Sequence, residues 1–118
     1  MKACIMSEKL PDKPVRGSTS GRPIMVLLDV LGQRWTLRIL WELRNGCVSF
    51  RELRALCDGV SPTLLNQRLK QLRSLHLVSL EECGFQLTPQ GQQLGGKFAE
   101  LDGWATGWAA ELAARDDS

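Results

Sequence analysis

Apolar residues fall along this chain in short helical stretches separated by glycine, asparagine and aspartate breaks, and their spacing predicts five helices and one hairpin. From Pro23 the run Ile24, Met25, Val26, Leu27, Leu28, Val30, Leu31 is apolar almost all round and stops at Gly32, a helix C-cap residue. A second helix fits residues 34–44, with Trp35, Ile39 and Leu43 at four-residue steps, Leu40 beside them, and Arg34, Arg38 and Arg44 on the other side. Cys47 to Phe50 has room for only a very short strand. Ser49 followed by Glu52 forms a capping-box pattern that opens a third helix through Cys57, and Asp58-Gly59 makes the turn. Ser61 as N-cap and Pro62 as first helical residue open a fourth helix. It buries Leu65, Leu69 and Leu72, helped by Leu64 and Leu75, and turns Thr63, Asn66, Gln67, Lys70 and Arg73 outward.

Residues 78–82, the pair Cys83-Gly84 and residues 85–88 read as a tight hairpin. Thr88-Pro89 repeats the cap signal and begins a last helix toward Ala114, with Leu94, Phe98, Leu101, Ala105, Trp108 and Leu112 at heptad-like spacing. Gly91, Gly95, Gly96, Gly103 and Gly107 each cost about 1 kcal/mol relative to alanine. The pattern therefore predicts a helix that is weak alone, inclined to kink near Gly95-Gly96 or Gly103, and in need of a packing partner.

The order of helices, strand, helix, glycine turn, helix and hairpin is that of a winged helix-turn-helix: mainly α, with a small β-hairpin as the wing. Residues 1–21, with their prolines, glycines, serines and lysines, read as a mobile N-terminal arm, residues 22–114 as the folded domain with a C-terminal dimerisation helix, and residues 115–118 as a tail. A length of 118 residues fits a single core. Neither a bilayer-spanning run nor a secretory signal is present, so the expected address is cytoplasmic, with no membrane partner.

Net charge is only +2, and its distribution is more informative than its size. Residues 34–76 carry eight bases against three acids, whereas residues 81–118 carry two bases against seven. A basic middle followed by an acidic end suits a polyanion-binding segment joined to one with another task. Thr63, Asn66 and Gln67 near the start of the fourth helix can hydrogen-bond base edges, and Ser61 caps a helix terminus that favours nearby phosphate. Arg51, Arg54, Arg68 and Lys70 are candidates for phosphate contact. Arg68 stands beside the core leucines, so an intramolecular ion pair is an equal alternative for it.

Over residues 22–108 the chain resembles the HxlR-type, MarR-like winged-helix regulators. The resemblance lies in Leu28-Asp29-Val30-Leu31-Gly32 followed by Arg34-Trp35-Thr36-Leu37, in Phe50-Arg51-Glu52-Leu53-Arg54, in Val60-Ser61 with Leu64-Leu65-Asn66-Gln67-Arg68-Leu69, and in Leu87-Thr88-Pro89-Gln90-Gly91. It implies a bacterial homodimer, joined through the first and last helices, that binds double-stranded DNA at a palindromic operator and regulates transcription. Leu27, Leu94, Phe98, Leu101, Trp104 and Trp108 are the expected dimerisation residues. Several members of that family sense electrophiles or oxidants through a cysteine just before the proline of the first helix. Arg22 occupies that position here, so thiol sensing at that site is absent. The wing is short and acidic, with Glu81 and Glu82, where the family pattern is longer and basic.

Cys4, Cys47, Cys57 and Cys83 form no CxxC pair, and His76 is the only histidine, so no metal site assembles and the thiols are expected to be free. Cys47 and Cys57 read as core fillers. Cys83, at the hairpin turn, is the candidate for a redox or alkylation switch, against the common case of an inert thiol. Trp104 and Trp108 pack a dimer seam or, as the rarer use, line a pocket for a small-molecule effector. No catalytic triad, phosphate loop or cofactor motif is present, so an enzyme is not expected and no cofactor is implied. The competing reading is a winged-helix module that binds protein without sequence-specific DNA binding. The acidic wing leads to the expectation that Glu81→Ala leaves operator affinity unchanged or raises it in a binding titration; a large loss would show that the wing acids contribute to the contact.

Overall fold

The computed structural model describes residues 22–116. The arm expected over residues 1–21, with Cys4, and the last two residues of the tail lie outside the described residues. Five helices and one hairpin follow in the expected order: α1 (Pro23–Leu31), α2 (Thr36–Glu42), α3 (Phe50–Leu56), α4 (Pro62–Ser74), β1 (Val78–Glu81), β2 (Gly84–Leu87) and α5 (Pro89–Asp116).

Local chemistry sets most boundaries. Pro23 starts α1, and the Gly32 N–H donates to Leu28 O at its end. The second helix is shorter than its apolar period suggested. Trp35 takes a left-handed conformation with φ of 76°, so helical geometry begins only at Thr36, and Leu43 forms the C-cap. The side-chain period continued through both ends because Trp35 and Leu43 still pack against the core without being helical. At α3 both halves of the capping box are made, Glu52 N–H to Ser49 Oγ and Ser49 N–H to Glu52 Oε1, each at 3.1 Å. Ser61 Oγ accepts from Leu64 N–H at the start of α4.

A single core gathers Val30, Ile39, Leu40, Leu43, Leu53, Cys57, Leu65, Leu69, Leu72, Val78, Phe85 and Leu87. Strands β1 and β2 pair antiparallel, from Val78 with Leu87 to Glu81 with Gly84, which makes Glu82-Cys83 the turn rather than Cys83-Gly84. Gly84 belongs to the strand because its backbone lies against Val48 at a φ of 131°, where no side chain fits. The short strand expected before α3 is a single bridge, Val48 with Phe85, held by two backbone hydrogen bonds of 2.8 Å. That bridge brings Cys47 beside Cys83, and the two are joined by a disulfide. The expectation of free thiols is therefore corrected for this pair, as is the reading of Cys47 as core filler. Cys57 alone among the described cysteines is free, and it is fully buried.

The last helix does not kink or break at its glycines; it runs unbroken for 28 residues, about 42 Å at 1.5 Å per residue. Glycine lowers helix propensity without removing an N–H, and no proline follows Pro89 within the helix. Gly91 is the one fully buried residue of α5, pressed against the Leu77 carbonyl and Leu87. Leu94 and Phe98 rest on the core, while the helix beyond them leaves it. No helix among the described residues is long and apolar enough to cross a membrane.

These glycines separate into two kinds that a urea melt can distinguish. Gly91→Ala is expected to lose about 1–3 kcal/mol, since its Cβ would overlap the Leu77 carbonyl. Gly96→Ala, which meets open space, is expected to gain about 0.5–1 kcal/mol. Equal effects would place the Gly91 close approach in error.

Candidate nucleic-acid interface

Helix α4 is anchored by Leu65, Leu69 and Leu72, none more than 1% exposed. With one face fixed inward, the 3.6-residue period turns Thr63, Asn66, Gln67, Lys70 and Arg73 outward, and all five are exposed. Ser61, at the N-cap, is exposed as well, although its hydroxyl is occupied by the Leu64 N–H. The amide and hydroxyl side chains thus form one uninterrupted polar face at the end of the helix where N–H groups point outward.

The arginines of the basic middle divide into two groups. Arg38 bonds Glu42 at 2.7 Å, donates to Leu56 O at 2.8 Å and lies 3.6 Å from Asp58. Arg44 donates to Trp41 O and covers the Trp41 ring at 3.6 Å. Arg54 Nε donates to Val60 O at 2.8 Å, closing the α3–α4 turn. Arg68 Nε donates to Arg34 O at 2.9 Å, a bond to a backbone carbonyl and not the ion pair expected as one of its two readings. Arg51, Lys70 and Arg73 are exposed and make no hydrogen bond or ion pair among the described residues. Lys70 and Arg73 also line a polar cleft of about 560 Å³ between α4 and β1, with His76, Ser79 and Thr88 and no carboxylate in its wall. Sequence reasoning named Arg73 only as an outward residue; its place in this cleft depends on the return of β1, which the helical period does not reveal.

The expected dimerisation residues also divide. Leu27 and Leu94 line an apolar groove of about 550 Å³ between α1 and the start of α5. Phe98, with Leu94, packs on the chain's own core. Leu101, Trp104, Trp108 and Leu112 are 59%, 63%, 50% and 44% exposed, and the two tryptophan rings stack with centroids 5.7 Å apart. Cys83 is exposed but bonded to Cys47. Burial pushes the Cys57 thiol up, in the direction of an inert thiol. No group of three or more His, Cys, Asp or Glu residues among the described residues could hold a metal.

With this geometry, the HxlR-like helix-turn-helix family matches residues 30–113. The chain belongs to this family. Among its relatives, the uncharacterized HTH-type transcriptional regulator YtfH of Escherichia coli is 34% identical over 103 residues, covering 80% of this chain and 82% of the relative. YvaP of Bacillus subtilis, another uncharacterized HTH-type transcriptional regulator, is 31% identical over 88 residues, covering 69% of this chain and 82% of the relative. Among solved structures, quinone-bound YodB from B. subtilis superposes with a TM-score of 0.66 at 29% identity, covering 70% of this chain and 94% of that one. A putative MarR-family regulator from Enterococcus faecalis gives 0.69 at 25% identity, covering 84% and 96%. The fold is that of the winged-helix regulators, and the family consists of transcriptional regulators, not enzymes.

Arg51 lies inside the capping box formed by Ser49 and Glu52, and hydrogen bonds from the Ser49 backbone and side chain hold the Glu52 carboxyl below its usual range. A lowered folded pKa stabilises the fold above the unfolded carboxyl value of about 4.3 and loses that contribution as pH falls through the folded value. Glu52→Gln is therefore expected to show a smaller fall in Tm between neutral pH and pH about 3 than the parent chain. A parallel fall in the two would remove the cap from the acid response.

Proposed function

We propose that the protein is a homodimeric transcription regulator of the cytoplasm that reads a palindromic DNA operator with α4. The observation that carries the reading is the outward face of that helix. Thr63, Asn66 and Gln67 are exposed at its N-terminal half while the leucines behind them hold the helix against rotation. Asn and Gln donate and accept in the bidentate pattern that an adenine edge offers in the major groove, and Thr can bond either kind of base or touch a thymine methyl. Ser61 sets the helix terminus that favours phosphate, and Arg51, Lys70 and Arg73 are the cations for the backbone on either side. Arg68 holds α4 to the residue before Trp35 and so positions the reading face rather than touching DNA.

Dimerisation runs through α1 and α5, by Leu27 and Leu94 at the groove and by Leu101, Trp104 and Trp108 beyond it, with Phe98 as the core-side base of the stripe. A row of large apolar side chains on a helix that has left its own core is surface that a soluble protein covers. The domain that carries out this function spans residues 22–114, with residues 1–21 as an arm. The apolar groove between α1 and α5 is the place for a small-molecule effector, a use supported by a quinone-bound structure of a relative. No cofactor is required. The acidic wing tip favours one second reading, a winged-helix module that docks on protein.

The test is a titration of the duplex upstream of the protein's own gene at two salt concentrations, beside sedimentation of the free protein. The expected outcome is tight binding by a dimer, with affinity falling steeply with salt as phosphate contacts release counterions. Asn66→Ala with Gln67→Ala is expected to lose about 2–6 kcal/mol on the operator, at about 1–3 for each bidentate contact, and little on unrelated duplex. Trp104→Ala with Trp108→Ala is expected to shift sedimentation toward monomer. Weak binding shared by parent and variant would favour the protein-docking module.

A further inference from the structure

The Cys47–Cys83 bond joins the residue before the Val48 bridge to the turn of the wing, and the loop of chain between them contains α3, α4 and β1, the whole reading unit. The two Cα atoms lie 6.1 Å apart, inside the span of about 4.4–6.8 Å that a bridge accepts without backbone movement. Cys83 is exposed and Cys47 half-buried, so a dissolved oxidant or reductant reaches the pair. Beside it, the Val48–Phe85 bridge keeps its own two hydrogen bonds of 2.8 Å. Opening the disulfide therefore leaves the base of the wing in place and frees only its turn, with Glu82 in it and Glu81 beside it. A protein that acts on DNA inside the cell works among thiols kept reduced, where a bond of this kind forms on oxidation and is lost on reduction.

We propose that Cys47 and Cys83 form a reversible redox pair, in which oxidation by a peroxide clamps the acidic wing turn to the entrance of α3 and weakens DNA binding. The proposal rests on the regulator reading above. The exposed Cys83 thiolate attacks one peroxide oxygen, giving a sulfenic acid and releasing the other oxygen as water once protonated. The Cys47 thiol then displaces the sulfenic hydroxyl as a second water, so two thiols and one hydrogen peroxide become one disulfide and two waters. A dithiol reverses the step by exchange and leaves as its own disulfide. The clamp ties Glu82 to the end of the interface where Arg51 stands four residues after Cys47. The Glu82 carboxylate held there repels the phosphate that Arg51 would meet, whereas the released turn can swing it aside; Glu81, paired with Gly84, stays in place in both states. The site is separate from the position before Pro23, where this chain has Arg22.

The experiment uses the full chain, reduced with dithiothreitol or treated with hydrogen peroxide, in three readings: free-thiol titration, a peptide map of the bridge, and affinity for the upstream duplex. The expected result is loss of two thiols to a Cys47–Cys83 peptide and an affinity about tenfold lower, restored by dithiothreitol. Cys47→Ser and Cys83→Ser variants should hold the reduced affinity in both conditions, which also excludes peroxide damage elsewhere. A pair that stays titratable in peroxide, or a bridge that leaves affinity unchanged or raises it, overturns the proposal. Reduced protein that binds no duplex overturns the regulator reading as well, and is distinguished because it appears before any oxidant is added.

Discussion

The inward face of α4 is the constraint on which the rest of this structure depends. Leu65, Leu69 and Leu72 meet Ile39, Leu40, Leu43 and Leu53 in one core, and burying each side chain contributes about 2 kcal/mol. Their larger effect is geometric. Rotating α4 by a single residue would move about 100° of helix surface, exposing leucine and burying Asn66 or Gln67 without partners, so the core fixes which side chains face outward. Ser61 and Pro62 fix where the helix begins, and Arg54 and Arg68 tie its approach and its flank to neighbouring carbonyls. A surface that reads DNA needs this rigidity, because a base-edge contact tolerates little displacement of the donor.

Charge in the middle of the chain overstates the interface. Eight bases lie between residues 34 and 76, yet Arg38, Arg44, Arg54 and Arg68 hold carbonyls, carboxylates or a tryptophan ring of the same chain, and Arg34 stands over the Trp35 ring at 5.9 Å. Guanidinium groups suit this task because one fork can satisfy several acceptors left at helix ends and turns. The cations left to face a polyanion are Arg51 at the start of α3 and Lys70 and Arg73 along α4, which bracket the amide-bearing face instead of covering it. In the proposed function that arrangement would give phosphate contacts the role of positioning and leave discrimination to Thr63, Asn66 and Gln67.

Most of the fold was legible in the sequence because its signals are local. The cap pairs Ser49 with Glu52, Ser61 with Pro62 and Thr88 with Pro89 placed three helix starts, and the leucine period placed the core face of α4. The errors arose where the deciding contact lies far along the chain. Cys47 and Cys83 are 36 residues apart and carry no local pairing signal; they meet because Val48 pairs with Phe85, a contact between segments on opposite sides of the helix-turn-helix. The left-handed Trp35 kept its place in the apolar period and so concealed the true start of α2. The apolar stripe of α5 and the polar face of α4 were visible as patterns, but only the folded chain shows that Leu94 and Phe98 pack against its own core.

That last distinction gives α5 two roles along one helix. Its first turns are locked by Gly91 against Leu77 and by Leu94 and Phe98 against the core, so its direction is set by the same packing that holds α4. From Leu101 on, every described residue but the half-buried Ala105 is exposed, and Gly103 and Gly107 lower the helix's intrinsic helicity by about 1 kcal/mol each. Helices of such composition are stable only when an apolar face is covered, and the exposed Leu101, Trp104, Trp108 and Leu112 supply that face. A second copy packed there would fix the distance between two α4 helices through rigid connections, and anything that entered the neighbouring groove between α1 and α5 would act on the same joint. The small residues that weaken the helix in isolation are also those that would let another helix approach closely, so its low intrinsic helicity and the proposed assembly would follow from one choice of residues.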